Sequence, residues 1–418
     1  MTQRFATLPA PAFNAATFGA HALRAFKAIF GRYTWWQQVL FSALGAVLLI
    51  MAAGWVGATR LTAFTGWGEG VVVDKLNAVT APGLFVRYDA WYYLQIARDG
   101  YRLDGNERAF FPLYPLAVRW LSQLVNIPLL WSGLLFSLSC FAGSALFLYR
   151  WTEAEHGART ARLATLLFCL FPMSFFHVAF YAEPLLLLTT AAFFYFAQRG
   201  QFMAAGAAIC LAGATRGTAF LLAIPYVVEF LMQCRTSFPT CPNENKLGNL
   251  SYKWGEFIAG GLIAPLGFLA FYQYRGFHVE GGWGTRYDWP WLVLRDGLQA
   301  ALYGINIDPD WFSRALVWQD LTYAIGALLI GLWALGRLRW SAALYLLISV
   351  LFMWTLHGPD GYAFWSMPRR LAVLMPLYPA LALLLNRTPH WVRVGALVLS
   401  GMLLGLLATW FASGRWVA

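Results

Sequence analysis

Charge is what this sequence has least of. Only 12% of its 418 residues are Asp, Glu, Lys or Arg, with 19 acidic side chains against 30 basic ones. A soluble chain carries roughly twice that fraction, so no stretch is left for a separate water-soluble domain. Cysteine is scarce as well. Of the five, Cys140, Cys169 and Cys210 sit inside apolar runs, and Cys234 and Cys241 fall in no loop assigned to the outside. That placement argues against a disulfide framework, and no Cys/His spacing fits a zinc site. Recognition helices and RNA-binding motifs are missing too. The net charge of +11 is therefore read as basic loops flanking membrane spans and meeting anionic headgroups, not as a nucleic-acid surface. No small-residue cleavage site follows the first apolar run. Val39 to Ala58 is expected to remain as a signal anchor behind a cytoplasmic segment, 1–38, that carries Arg4, Arg24, Lys27 and Arg32.

What is present is apolar. Hydrophobic residues make up 60% of the chain and the mean hydropathy is +0.56. Runs of about 20 such residues recur along its length, which marks an all-α polytopic membrane protein. The reading is a single domain over 1–418 with about 10–12 spans of bilayer-crossing length. They are placed near 39–58, 130–150, 161–181, 183–198, 202–217, 219–234, 255–275, 315–336, 340–357, 369–386 and 393–412. The run 112–128, interrupted by Pro112, Pro115, Arg119 and Pro128, is treated as non-spanning, since broken backbone at membrane depth must be shielded by protein. Short basic loops at Arg150–Arg162, Arg199, Arg235–Lys253, Arg337/Arg339 and Arg387/Arg393 are assigned to the cytoplasm. The 60–110 loop, the 276–312 loop, the 357–370 loop and the turn at Tyr181–Glu183 then all face outward.

One of those loops stands apart. Phe85 to Pro115 reads FVRYDAWYYLQIARDGYRLDGNERAFFPLYP, with Arg87, Asp89, Arg98, Asp99, Arg102 and Asp104 in close succession. Ionisable groups at or near membrane depth are costly and mark working sites. Asp89 also has a plainer reading, a structural pair with Arg87 or Arg98. Farther along, Glu183 opens a span, where a carboxylate suits the helix N-terminus. Arg216 could instead cap a helix or snorkel to headgroups, and Arg370 could be an anchor. His278, Glu280, Arg286 and Asp288 surround a glycine–tryptophan stretch that suits either a cover over the site or an interfacial belt. His357 and Asp360, in HGPDGYAFW, could touch a phosphate or a metal, although no spacing supports a dedicated metal site.

RYDAWYYLQIARDGY followed by AFFPLYP resembles the first-loop signature of the GPI mannosyltransferase 2 (PIG-V type) family, integral-membrane glycosyltransferases of the GT-C class. Arg87, Asp89, Tyr92, Ile96, Ala97, Gly100, Tyr101, Ala109, Phe110, Phe111, Pro112 and Pro115 match, while Tyr88 stands where the family has Trp. Tyr181-Ala-Glu183, Ala214-Thr-Arg216 and Ser366-Met-Pro-Arg369 resemble further family blocks in the same order. The acidic residue that precedes Ala-Phe-Phe-Pro in the family aligns with Asp104 or Glu107.

The resemblance implies transfer of a sugar, mannose in this family, from a polyprenyl-phosphate carrier to an acceptor hydroxyl at the extracytoplasmic face. The expected partners are that donor, a lipid-linked or envelope glycan acceptor, and membrane lipids. No cofactor is firmly implied, and metal dependence stays open. A hydroxyl is a weak nucleophile and needs a carboxylate to take its proton; Asp89 is the candidate base. Arg216 and Arg369, with Arg370 behind them, are candidates to hold the departing phosphate, and Arg87, Tyr92, Tyr181 and Glu183 to bind substrate. Tyr88, Trp91, Tyr93 and Trp365 are aromatics that could stack on sugar or isoprenoid. The expected place is a bacterial plasma membrane. Three readings compete with this one: a lipid or glycolipid flippase, which would call for internal repeats and mid-membrane charge, an oligosaccharide ligase, and a structural subunit that leaves the polar loops unexplained.

Overall fold

The computed structural model describes residues 33–61, 79–101, 106–237, 244–275, 286–303, 311–358 and 362–417. Residues 1–32, Asp104, His278, Glu280 and Asp360 lie outside them. Helix α1 (Trp35–Arg60) opens with the Thr34 N–H donating to Gln37 Oε1 at 2.9 Å, which satisfies a donor that the first turn leaves over. It lies against the last helix, α15 (His390–Ala412), so closely that a methyl at Gly57 would fall 2.0 Å from the Thr409 carbonyl oxygen.

Two short helices follow at the site end, α2 (Ala90–Asp99) and α3 (Leu113–Val125). With 13 residues, α3 rises only about 20 Å, too little to cross a bilayer core of about 30 Å. Next, α4 (Leu129–Leu170) breaks at Gly157, whose φ of 76° suits glycine. The break falls within the charged stretch that separates the two spans read there. The second span is shorter than expected: the helix stops at Leu170 and not near 181, because Pro172 disfavours helical backbone in the residue before it. A 3₁₀ turn, Ser174–His177, carries the chain on to α5 (Glu183–Gln198).

From α5 the chain passes to α6 (Phe202–Gly213), through a 3₁₀ segment at Gly217–Leu222, and into α7 (Ala223–Ser237), α8 (Glu244–Ile263) and α9 (Leu266–Arg275). Glycine lets α6 meet α8 and α9 backbone to backbone. A Cβ at Gly206 would sit 2.2 Å from Gly260 O, and one at Gly267 would sit 1.9 Å from Cys210 O. Small residues permit such approach where lipid gives helices no hydrophobic drive to associate.

The remaining helices are α10 (Pro290–Tyr303), α11 (Trp311–Ala334), α12 (Trp340–Met353), α13 (Met367–Ala372) and α14 (Leu377–Asn386). The single span read at 369–386 is two helices. Pro376 offers no N–H and constrains Met375, so the chain breaks at 373–376 and stays buried there. The span read at 340–357 likewise ends at Met353. Beyond it, β2 (Leu356–His357) pairs antiparallel with β1 (Arg286–Tyr287). Among the described residues, six helical segments are long and apolar enough to cross a membrane, and Phe202–Gly213, Trp340–Met353 and Leu377–Asn386 are shorter apolar helices. The protein is an integral membrane protein.

Candidate functional site

Four motifs far apart in the chain meet at one point. Asp89 sits at the N-terminus of α2, Glu183 is the first residue of α5, Arg216 follows α6, and Arg369 lies in α13. Arg369 donates from Nε to Glu183 Oε1 at 2.7 Å and from NH1 to Asp89 Oδ2 at 2.9 Å. The same Glu183 oxygen accepts from Arg216 NH1 at 2.9 Å. The four side chains thus form a continuous chain of charge-assisted hydrogen bonds. Glu183 is its buried hinge, 1% exposed, while Asp89 and Arg216 keep 27% and 28% of their side-chain surface open. Arg370 follows Arg369 in α13, and burial first, then Arg216 and Arg369, lower its pKa to about 10 against the opposing Asp320.

Local structure explains the convergence. Leu113, next after the Ala-Phe-Phe-Pro block, donates its N–H to Ala214 O at 3.1 Å, which fastens the first loop beside Arg216. Tyr101 braces the same block by donating to Phe110 O at 2.6 Å. Asp320, buried in α11, accepts the Met367 N–H at 2.9 Å and so caps the start of the helix that carries Arg369. Tyr88, Phe364 and Ser366 have left-handed φ values of 51°, 60° and 60°. Each costs energy in a residue with a side chain. All three lie within five residues of Asp89 or Arg369, so the surrounding packing must hold the strain at the site.

Around Arg369 the environment is aromatic. Its guanidinium lies 4.7 Å from the Phe176 ring centroid, 4.8 Å from Tyr181 and 5.9 Å from Trp416. Rings on these sides restrict where the cation can turn, and they stabilise its charge. The Tyr181 hydroxyl donates to Arg87 O at 2.6 Å. Tyr93 is buried between Phe110, Tyr114 and Tyr181, and Tyr92 stacks on Phe110 with centroids 4.8 Å apart. Burial raises the pKa of both the Tyr88 and the Tyr93 phenols, which keeps them neutral.

Several expectations meet a different geometry. Arg87 does not pair with Asp89. It is 3% exposed and donates to Gly83 O, Val86 O and, through Nε and NH2, to Ala412 O. These bonds to carbonyls tie the first loop to the end of α15. Arg98 pairs with its neighbour Asp99, which removes the second structural partner considered for Asp89. Tyr88 packs on Phe411 and Trp416, and Tyr93 on Phe110 and Tyr114. Glu107 is buried, and its Oε2 has no hydrogen-bond partner. His357 is fully buried, and its Nε2 lies 3.9 Å from Asp288 Oδ2 and 3.8 Å from Asp296 Oδ2, beyond hydrogen-bonding distance. Among the described residues no group of three side chains is arranged to hold a metal ion.

The structure also adds residues that the sequence did not single out. Trp416 stands edge-on to Tyr88 at 4.8 Å, the Tyr88 hydroxyl donates to Gly414 O, and Gln319 donates to Val417 O at 3.2 Å. The segment after α15 therefore closes one wall of the site. Asp320 carried a visible signal, a carboxylate in an apolar run. Carbonyl acceptors such as Ala412 O and Gly414 O carried none.

A family model described as mannosyltransferase (PIG-V) matches residues 68–292, which takes in Asp89, Glu183 and Arg216. GPI alpha-1,6-mannosyltransferase 2 of Rattus norvegicus is 31% identical over 276 residues, covering 61% of this chain and 54% of the relative. Its Cricetulus griseus counterpart is 32% identical over 224 residues, with coverages of 50% and 44%. The chain thus spans about half the length of the curated relatives it matches. Among solved structures, ArnT from Cupriavidus metallidurans bound to undecaprenyl phosphate superposes with a TM-score of 0.50 at 14% identity, covering 87% of this chain and 62% of that one. At that identity the likeness speaks for the fold alone.

Proposed function

The chain belongs to the mannosyltransferase (PIG-V) family, and from that premise we propose that it moves a mannose from a polyprenyl-phosphate carrier to a hydroxyl of a glycolipid or envelope glycan. The observation that carries the reading is the Arg216–Glu183–Arg369–Asp89 chain with Arg370 beside it. It sets a partly open carboxylate next to clustered guanidinium groups, in a wall shared by helices of a membrane protein. ArnT, which shares the fold, was crystallised with undecaprenyl phosphate, and this supports a lipid phosphate as the carrier.

The chemistry follows from the residue types. The acceptor oxygen bonds to the anomeric carbon while the bond from that carbon to the phosphate oxygen breaks, its electron pair leaving with the phosphate. The acceptor proton passes to an Asp89 oxygen. Arg216, Arg369 and Arg370 meet the charge that grows on the departing phosphate, in a site where little water competes. Guanidinium suits this task because its fork matches phosphate oxygens. Glu183 reacts with nothing; it holds two of the three arginines in place. Asp104 and Asp360 remain candidates for further contacts, as do Glu107 and His357.

The deciding experiment incubates the purified protein with polyprenyl-phosphate mannose and a lipid extract. Formation of a mannosylated lipid together with free polyprenyl phosphate is the expected result. Movement of lipid across a vesicle bilayer with no new glycosidic bond would instead establish the transporter reading. We assign the site to the extracytoplasmic face on the strength of the basic short loops. In a background without native cysteines, Arg98→Cys should react with an impermeant reagent added outside, and Arg337→Cys should not. The reverse pattern would place the site on the other face.

A further inference from the structure

We propose that Asp89 is masked in the resting protein and that the donor's phosphate unmasks it, by competing with Asp89 for Arg369. The inference rests on the polyprenyl-phosphate reading above. Arg369 is a shared cation: its Nε holds Glu183 at 2.7 Å and its NH1 holds Asp89 at 2.9 Å. A carboxylate oxygen that already accepts from a guanidinium is not free to receive the acceptor's hydroxyl proton. As the structure stands, the proposed base has one oxygen committed to the residue that is also proposed to hold the leaving group.

The two carboxylates are unequal in a way that decides which one lets go. Glu183 is 1% exposed and takes both Arg216 and Arg369 on one oxygen, so losing either would leave a buried charge short of partners. Asp89 is 27% exposed, so water can replace Arg369 at little cost. An incoming phosphate brings negative charge to Arg216, Arg369 and Arg370, and so competes with the carboxylates that Arg369 already holds. The contact most easily given up is Arg369 NH1 to Asp89 Oδ2. Glu183 keeps the arginine in place while Asp89 is freed toward the acceptor hydroxyl. The base thus becomes competent once the donor is seated, which makes donor first, acceptor second the productive order.

The test measures equilibrium binding of undecaprenyl monophosphate to the full-length protein in nanodiscs, with no acceptor and no turnover. Asp89→Asn removes the competing charge and is expected to tighten binding about 5- to 10-fold, the lower range of coupling between linked sites. Asp89→Ser gives the same test should the Asn variant fail to fold. In an Arg369→Ala background the gain should vanish, because the competition acts through that guanidinium. Unchanged or weaker binding in Asp89→Asn overturns the masking while leaving the phosphate site intact. A gain that survives in Arg369→Ala also overturns it, since the effect is then only the loss of a nearby negative charge. Failure of the unmodified protein to bind the lipid phosphate at all removes the underlying functional reading.

Discussion

Two buried arginine–carboxylate clusters occupy opposite ends of α5, and they are built to different rules. At one end Glu183 bridges Arg216 and Arg369. At the other, Gln233 donates to Ala197 O at 2.7 Å and to Glu229 Oε1 at 2.9 Å, and Glu229 is gripped by Arg339 through both of its oxygens. Ser341 adds a third donor at 2.7 Å. The 16 residues of α5 separate the two by about 22 Å at the helical rise. Every oxygen of Glu229 is engaged, whereas Glu183 Oε2 has no partner and a third arginine waits beside the Asp89 cluster. Burial would lower the Arg339 pKa, but Glu229 more than offsets this and holds it above its ordinary value. A closed network fixes a fold; on the proposed function, the partly exposed Asp89 end is the one that meets a ligand.

The sharpest way to break that contrast is to substitute the open carboxylate. Asp89→Asn should lower turnover about 100- to 10,000-fold, the usual cost of losing a general base, with melting temperature and expression close to normal. If stability falls instead and turnover drops only in proportion, the two ends are alike and Asp89 is structural.

Glu229→Ala should do the reverse. Removing one partner of a buried pair costs about 3–5 kcal/mol, read as a lowered melting temperature, while turnover per folded molecule holds. A specific loss of turnover with normal stability would make the second cluster part of the catalytic path.

Arg369→Lys and Arg216→Lys should lower turnover about 10- to 100-fold, because an ammonium cannot reproduce the two-pronged contact with phosphate. Turnover at the unmodified level in both would remove phosphate binding from these residues. The smallest effect is expected at the wall. Trp416→Phe keeps the ring beside Tyr88 and should change turnover less than about threefold, whereas Trp416→Ala should cost about tenfold through loosening of Arg369. Equal turnover in all three proteins would exclude the segment after α15 from the site.

The four blocks containing Asp89, Glu183, Arg216 and Arg369 were legible because each pairs a charge with small or aromatic neighbours in otherwise apolar sequence. Their meeting point follows from orienting the basic loops. The architecture was legible from apolar run length, but run length is blind to proline: Pro172 and Pro376 interrupt helices inside runs that hydropathy alone reads as continuous. The role of Arg87 could not have been read. Its partner Ala412 lies 325 residues away and contributes only a carbonyl, a group every residue possesses. The same holds for Tyr88 and Gly414. Asp320 was visible as an odd charge in a span, yet its task, receiving the Met367 N–H, depends on where α13 begins.

The glycine contacts among α6, α8 and α9 have a mechanical consequence. Helices that touch through backbone atoms have no side chains to reshuffle, so they cannot slide past one another without collision. This flank of the bundle is a fixed wall, and on the proposed function a long isoprenoid has to be accommodated elsewhere, beside the short helices α13 and α14. Tethering α6 covalently to α8 is then expected to leave transfer intact, while tethering α14 to its neighbours should stop it. The opposite outcome would put the moving part among the glycines.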